Sequence, residues 1–566
     1  MVTSFASVLK KSLNLMVIGF GLLACASPAG KSKDERPNII IIMADDMGYS
    51  DLGCYGSEIQ TPNLDYLAAN GMRFTQFYNN GRCCPTRASL LTGLYPHQAG
   101  IGEMTTPGGQ PGYQGFLASN TVTLAEVLKS AGYNTGMTGK WHVAERYDRI
   151  REEQLKWTSH QQNFGAFADS AQVPTARGFD EYYGNIWGVV DYFDPFALVS
   201  GNKQVMSVPP NYYHTDALAD SSVAFIDRFS KDDKPFFLYV AHTAPHWPLH
   251  ALPEDIARYE AVYKSGWEVL RKNRYKRLIE LGVFDSTKIE LLPWMLPHKQ
   301  WAANPDSSWD AHAMAVHAAM VDRMDKGIGR IIERLRERNE LDNTLILFLS
   351  DNGASQETPL NPGDGIAATT RDGREVKFPR VKSENNLAGT QDVYGSLGIA
   401  WAHALNSPFK YWKSKMYEGG IGTPMIAHWP AAIQQPNSIN TSVGHVIDFM
   451  ATCTELAGIE YPQTYNGQTI TPMQGKSLVS TLRTNKILDR DYVFWEHFGS
   501  KALRQGKWKL VQLDNQSPWQ LYDLEKDRAE LVDLSLEFPE QVENMKALWE
   551  KLAKEKLVYP KPEKKS

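Results

Sequence analysis

Cysteine is scarce in this chain, with five residues in 566. That excludes a scaffold held together by disulfides, which would need more at this length. Neither sign of charge is in excess: 59 Lys and Arg stand against 64 Asp and Glu, for a formal net charge of -5. No basic stripe runs along the sequence, which argues against nucleic acid as a partner. The apolar run Leu13 to Ala24 is too short for a comfortable membrane span.

What is present describes a globular protein with a full core, with 42% hydrophobic residues and 43 glycines. The length exceeds one ordinary domain, so one large and one small domain are expected. Fifteen Trp and 25 Tyr would suit sugar rings where they lie on loops, although most must serve the core.

Lys10 and Lys11 precede the short apolar run, and Leu22-Leu23-Ala24-Cys25 closes it. Residues 1–25 therefore read as a secretory signal, of the lipoprotein type if Cys25 is acylated and becomes the new N-terminus. Ala24-Cys25-Ala26 also permits ordinary cleavage after Ala26. Either route exports the protein, to the periplasm or to the outer membrane and cell surface.

Asn38 to Ala44, Phe236 to Ala241 and Thr344 to Leu349 are continuous apolar runs, the pattern of strands buried on both faces of a parallel sheet. Helical periodicity appears between them, clearest at Met320, Val321, Met324, Ile328, Ile331, Ile332 and Leu335. Strand–helix alternation predicts an α/β fold over residues 36–485. After about residue 485 short strands take over, followed by a helix with Val542, Met545, Leu548 and Leu552 on one face. Residues 486–566 are therefore expected to form a small α+β subdomain.

Polar residues gather where the long strands end. Asp45-Asp46, His246 and Asp351-Asn352 could converge, since ligands of open α/β sheets bind at the carboxyl ends of strands. Asp45, Asp46, Asp351 and Asn352 offer hard oxygen donors, suited to Ca²⁺ or Mg²⁺ rather than zinc. Singly, each such group is better explained by a turn or a helix cap; two such strand ends in one sheet, beside a cationic helix terminus, shift the balance. Gly81-Arg82-Cys83-Cys84-Pro85-Thr86-Arg87 reads as a helix start, with Pro85 in the first turn and Gly93 as the stop. Two cysteines there meet exposed N–H groups and the cation of Arg87, an anion-friendly setting that activates a thiol. A vicinal disulfide would be strained and would waste that placement.

Cys83-Cys84-Pro85-Thr86-Arg87 followed by Leu91-Thr92-Gly93 resembles the C-x-P-x-R-x-x-x-L-T-G signature of type I sulfatases, in the alkaline phosphatase superfamily. Met43 to Gly48, Gly139-Lys140-Trp141-His142, Pro245-His246-Trp247-Pro248, Ser350 to Gly353 and Lys413 to Gly420 match further segments in the family's order. Alone, Lys-Trp-His would pass for a surface lysine beside a buried indole, and Pro-His-Trp-Pro for a rigid loop. Order and co-occurrence carry the resemblance.

The resemblance implies a large, mostly parallel sheet between helices, and hydrolysis of a sulfate ester, either of a glycan or of an aryl alcohol. It implies conversion of Cys83 to Cα-formylglycine by a formylglycine-generating or anaerobic sulfatase-maturating enzyme, with the hydrated aldehyde as nucleophile. Asp45, Asp46, Asp351 and Asn352, with the converted Cys83, match the family's ligands for one divalent ion, usually Ca²⁺. Arg87 would orient the nucleophile, Lys140 and Lys413 would hold sulfate oxygens, and His246 would protonate the leaving group. His142 is the candidate base for releasing sulfate, and Cys84 only packs.

The small hydroxyl residue that family members often carry after Gly-Phe-Asp is absent from Gly178 to Asp191. His497 and Arg504 are candidates for the sugar pocket. The sequence leaves two other readings open. One is a phosphatase or phosphodiesterase of the same superfamily, which would hold two zinc ions. The other is a sugar-binding surface protein that has lost catalysis.

Overall fold

The computed structural model describes residues 34–145, 170–195, 198–205, 207–361, 369–370, 372–379 and 382–562. The signal sequence and Cys25 read above lie outside them. Among the described residues no helix is long and apolar enough to cross a membrane.

The main sheet contains eleven strands: β1 (Asn38–Ala44), β2 (Met72–Tyr78), β3 (Asn134–Gly139), β4 (Glu181–Asn185), β5 (Leu198–Ser200), β6 (Lys203–Gln204), β7 (Phe236–Ala241), β8 (Thr344–Ser350), β9 (Gly422–His428), β10 (Ser438–Asn440) and β11 (Gly444–His445). The spatial order is β10-β2-β9-β8-β1-β7-β3-β4-β5-β6, with β11 also paired to β2. β8, β1, β7, β3 and β4 run parallel, while β9 runs antiparallel to both β8 and β2.

The apolar runs explain this centre. Successive side chains of a strand point to opposite faces, so a strand covered on both sides must be apolar at every position. In β1 the split is clean. Ile39, Ile41 and Met43 enter the core on one face, and Ile40, Ile42 and Ala44 enter the other. β8 divides the same way, with Leu345, Leu347 and Leu349 against Ile346 and Phe348.

The helix Ser307–Glu337 covers one face through Met320, Met324, Ile328 and Ile331. Helices Cys83–Thr92, Leu124–Ser130 and Asp448–Ala457 cover the other. The expected α/β class is what the chain adopts.

Strands Val493–His497, Ser500–Gln505, Trp508–Gln512 and Trp519–Asp523 form a separate antiparallel sheet, packed by the helix Pro539–Glu555 through Met545, Trp549 and Leu552. Its other face shares a core with Tyr78, Met416, Tyr417 and Ile421. The small sheet therefore buttresses the segment that carries Lys413.

Strand direction brings the polar residues to one edge. β1, β3, β7 and β8 all end there, delivering Asp45-Asp46, Lys140, His246 and Asp351-Asn352. β2 ends at the same edge, so the chain turns through Asn79-Asn80-Gly81-Arg82 directly into the helix that starts at Cys83. β9 starts there, which places Lys413 to Ile421 beside the others.

Candidate active site

Arg82 is extended (φ -152°, ψ 148°) and caps the helix Cys83–Thr92, with Pro85 in its first turn and Gly93 closing it in the left-handed conformation at φ 70°. The helix start is anchored twice. Thr86 Oγ1 donates to the Asp351 carbonyl at 2.7 Å and accepts from the Asn80 N–H at 2.9 Å. Both cysteines are buried as free thiols, together with Cys54's half-buried thiol and the buried Cys453. The vicinal disulfide is not formed.

Arg87 donates from Nε and Nη2 to Asp351 Oδ2, at 3.0 and 2.8 Å, and from Nη1 to the Lys140 carbonyl at 2.8 Å. Lys140 Nζ donates to Asp45 Oδ2 at 2.5 Å. Lys413 Nζ contacts both oxygens of Asp46 at 2.8 and 2.9 Å, and donates to Glu357 Oε2 at 2.9 Å. Asp46, at φ 64°, is held in the left-handed region. Its Oδ1 accepts from Asn352 Nδ2 at 2.6 Å.

The two histidines stand in different places. A nitrogen of His142 and the two sulfurs of Cys83 and Cys84 lie within 4.8 Å of one another. His142 Nδ1 has no hydrogen-bond partner among the described residues, and burial pushes its pKa down to about 3. It is therefore a neutral ring next to Cys83. His246 instead meets Asp45 and Asp46, within the same 4.8 Å limit. Its Nδ1 lies 2.5 Å from the Trp247 carbonyl, which can only accept, so Nδ1 carries the proton. Nε2 faces Asp46 Oδ2 at 3.4 Å and Lys413 Nζ at 3.5 Å. Burial pushes His246 down to about 4, although Asp46 pulls the other way.

Two of the three aspartates are pushed up and one is held down. Burial and the neighbouring Asp45 push Asp351 up to about 8 despite Arg87, and burial pushes Asp45 up to about 6 despite Lys140. For Asp46, Lys413 and His246 outweigh burial and hold it below the usual range. The Cys83 thiol is held well below its usual value. A hydrogen bond from Cys84 does most of this, helped by Lys140 and His142 against the cost of burial.

All ten residues picked from the sequence thus meet at one edge of the sheet. The two sugar-pocket candidates do not join them. Arg504 is engaged by Tyr78 OH and Gln76 Oε1, each at 2.5 Å, beneath the C-terminal sheet. His497 is fully buried, with Nδ1 at 3.3 Å from the Gly102 carbonyl. Between Gly184 and Asp191 no hydroxyl residue appears. Asn185 is held there by Thr243, His214 and the Trp187 carbonyl.

Sequence reasoning missed Glu357, Arg82 and Gly188. Glu357 Oε2 accepts from Lys413, from Trp247 Nε1 at 3.1 Å and from Ser355 Oγ at 3.2 Å, while Oε1 pairs with Arg82 Nη1 at 2.7 Å. Glu357 lies in no motif, and Arg82, although beside the signature, gains its meaning only where four segments converge. Gly188 lies against the His142 ring, and a Cβ there would come within 2.4 Å of Cε1. Gly188→Ala is expected to displace that imidazole and lower kcat by about 10-fold or more, since catalytic geometry is intolerant of shifts near 1 Å. Steady-state kinetics with a melting curve on the same preparation separates this from loss of fold.

The family model for sulfatases matches residues 37–459, most of the chain. The chain belongs to the sulfatase family. A second model, N-sulphoglucosamine sulphohydrolase C-terminal, matches residues 409–557. An uncharacterized sulfatase of Schizosaccharomyces pombe is 33% identical over 552 residues, covering 92% of this chain and 94% of the relative. An arylsulfatase of Klebsiella aerogenes is 34% identical, covering 80% and 93% respectively.

The solved structure of Ps i-CgsB in complex with k-i-k-neocarrahexaose is similar with a TM-score of 0.63 at 26% identity, covering 92% of this chain and 93% of that one. The protein is thus a sulfatase of the alkaline phosphatase superfamily, and the enzyme hydrolyses sulfuric esters. The readings as a two-zinc phosphatase and as an inactive sugar binder give way to this one.

Proposed function

We propose that this sulfatase removes sulfate from a sulfated sugar, with formylglycine made from Cys83 as nucleophile and one Ca²⁺ beside it. The observation that carries the sugar reading is the pair His246 and Lys413, two proton-bearing groups 3.5 Å apart on one side of the site. A sugar alkoxide is a poor leaving group and needs a proton as the S–O bond breaks. An aryl oxide needs one far less. The sugar bound to Ps i-CgsB, a relative of 26% identity, supports the same reading.

The residues fit a hard divalent cation. Asp45 Oδ1 and Asn352 Oδ1 are buried and accept no hydrogen bond among the described residues. Leaving such an oxygen unpaired costs about 1–3 kcal/mol, and buried unpaired oxygens at the ends of neighbouring strands are what a cation with oxygen ligands would use. Charge points the same way. Asp45, Asp46, Asp351 and Glu357 face Arg82, Arg87, Lys140 and Lys413, four acids against four bases. A divalent ion would leave two positive charges, matching a sulfate ester monoanion and one ionised hydroxyl. Asp45, Asp46, Asp351 and Asn352 would hold it, with an oxygen of the converted residue 83. When bound it supplies charge neutralisation at the nucleophile and the sulfate.

The chain's own residues then have separable tasks. Arg87, tied to Asp351 and to the Lys140 carbonyl, fixes the start of the helix and orients the diol of residue 83. Lys140 and Lys413 hold sulfate oxygens, so that negative charge developing at sulfur meets fixed cations. One diol oxygen attacks sulfur and the ester S–O bond breaks. The alkoxide takes its proton from His246, whose imidazolium form is favoured once the anionic ester arrives, with Lys413 alongside. His142, a neutral ring beside residue 83, takes the proton of the second diol hydroxyl. The C=O bond reforms, the C–O bond to sulfate breaks, and the aldehyde is restored. The leader read in residues 1–25 supports an exported enzyme, at the periplasm or cell surface and possessing a lipid anchor if Cys25 is acylated.

Elemental analysis of the purified protein should find one calcium per chain, and Asp351→Ala should lose both the ion and turnover. Two zinc ions per chain would contradict the assignment. A panel of monosulfated mono- and disaccharides should contain a substrate turned over in the presence of Ca²⁺. Failure on every sugar, with brisk hydrolysis of aryl sulfates, would overturn the sugar reading.

A further inference from the structure

Outside the residues that act on sulfur, a second polar pair reaches from the site toward solvent. Lys413 is sealed, with 1% of its side chain exposed, whereas Glu357 and Arg82, next in the chain of contacts, are 23% and 17% exposed. The contacts run outward from Asp46 to Lys413, Glu357 and Arg82. Lys413 and His246 face the leaving oxygen in the reading above, so Glu357 and Arg82 border the leaving group rather than the sulfate.

The pair is fixed but not saturated. Arg82 Nη1 makes both contacts that hold the guanidinium, to Glu357 Oε1 at 2.7 Å and to Ser414 Oγ at 2.9 Å. Arg82 Nε is buried with no hydrogen-bond partner among the described residues. Among the described residues Glu357 accepts three bonds on Oε2, from Lys413, Trp247 and Ser355, but on Oε1 only the contact with Arg82. The backbone around them is braced. Ser414 N–H donates to the Gly81 carbonyl at 2.7 Å, and Met416 N–H donates to Ser500 Oγ of the C-terminal sheet at 3.1 Å.

A buried guanidinium edge with an unused donor, beside a carboxylate oxygen with an unused lone pair, suits a group that both accepts and donates. A hydroxyl is such a group. A second sulfate or a carboxylate suits it less, because Glu357 would repel it. A bare aryl ring can stack on the guanidinium but offers no hydrogen bond to either residue.

We propose that Arg82 and Glu357 together recognise the free hydroxyl adjacent to the sulfate ester on the sugar, and so determine specificity for the leaving group. This rests on the sugar reading above. The hydroxyl donates to Glu357 Oε1 and accepts from Arg82, on the side of the site where the ester oxygen leaves.

The test compares hexoses (glucose and galactose sulfated at C2, C3 or C4) with counterparts deoxygenated at the adjacent carbon, and with 4-nitrophenyl sulfate. A hydrogen bond to a charged group contributes about 10- to 10²-fold in binding, so deoxygenation should lower wild-type kcat/KM by that factor. In Arg82→Met the loss on the hydroxylated sugar should exceed the loss on 4-nitrophenyl sulfate by the same factor. Deoxygenation should then matter little, as a double-mutant cycle requires of two groups that touch. Arg82→Lys, which keeps the charge beside Glu357 but not the fork, should show the same pattern, and covers the case in which Arg82→Met does not fold.

Equal losses by both variants on all three substrates would overturn the proposal and leave Arg82 as a brace for Glu357. A wild-type enzyme that desulfates the sugars but ignores the adjacent hydroxyl would overturn it while leaving the sugar reading intact. Turnover of 4-nitrophenyl sulfate alone would overturn both.

Discussion

Cys83→Ala is expected to show no measurable turnover of any sulfate ester, while Cys84→Ala keeps most of its activity. The two sulfurs are neighbours in sequence, both are buried, and both lie near His142. Their surroundings differ. Cys83 is drawn well below its usual pKa, first by the hydrogen bond from Cys84 and then by Lys140 and His142. Burial and the charge on Cys83 push Cys84 well above its own. What sets Cys83 apart is its place two residues before Pro85 and four before Arg87, the C-x-P-x-R spacing of the family's signature, with Cys84 at the variable position. Alanine at 83 leaves no carbon that can be oxidised to an aldehyde and no oxygen to attack sulfur. Alanine at 84 removes one sulfur from a packed core, a cost in stability of a few kcal/mol at most and not a cost in chemistry. Turnover assays on both variants, with melting curves as a control for folding, decide between the two positions. Comparable losses in the two variants would remove the distinction.

The second large effect concerns His246. His246→Ala should lose about 10²–10⁴-fold in kcat/KM against a sugar sulfate, the range that general acid catalysis contributes. Against 4-nitrophenyl sulfate the loss should be much smaller, since nitrophenolate leaves almost unaided. The neutral ring has its proton on Nδ1, bound toward the Trp247 carbonyl, and presents Nε2 to Asp46 and Lys413. It must therefore be protonated at Nε2 before it can act, and an anionic substrate favours that form. His142→Ala should behave differently. It slows expulsion of sulfate from residue 83, so both substrates suffer alike and sulfated enzyme accumulates, visible as an 80 Da adduct of about one sulfate (roughly SO₃) by intact-protein mass spectrometry. Equal losses on both substrates in His246→Ala would assign that histidine to sulfate binding and move the acid to Lys413.

Much of this was legible in the sequence because the central strands have only one solution. Ile39 to Ile42 are apolar at every position, and only a strand covered on both faces can use them. Residues at the ends of such strands then share an edge whatever the loops do. The same logic could not reach Glu357 or Gly188. Glu357 sits in an irregular stretch after Asp351-Asn352-Gly353, and its partners come from Arg82, Trp247, Ser355 and Lys413. Gly188 matters only because the His142 ring lies over it.

Arg504 lies away from the site for a related reason. It reads as a polar residue on a short strand, yet the small sheet packs that face against β2, where Tyr78 and Gln76 take up its guanidinium. Its pairing partner Val493 lies across the same hairpin, in the buried cluster with Tyr78. Alternation along a strand locates a face. It does not say what covers it.

The central claim is that the nucleophile is an oxidised Cys83, and peptide mass spectrometry tests it most directly. Protein made in a host with a sulfatase-maturating enzyme, digested and trapped with an aldehyde reagent, should carry formylglycine at residue 83 and an unmodified thiol at residue 84. The fraction converted should track specific activity from one preparation to the next. A fully active enzyme whose residue 83 is an intact cysteine would contradict the account.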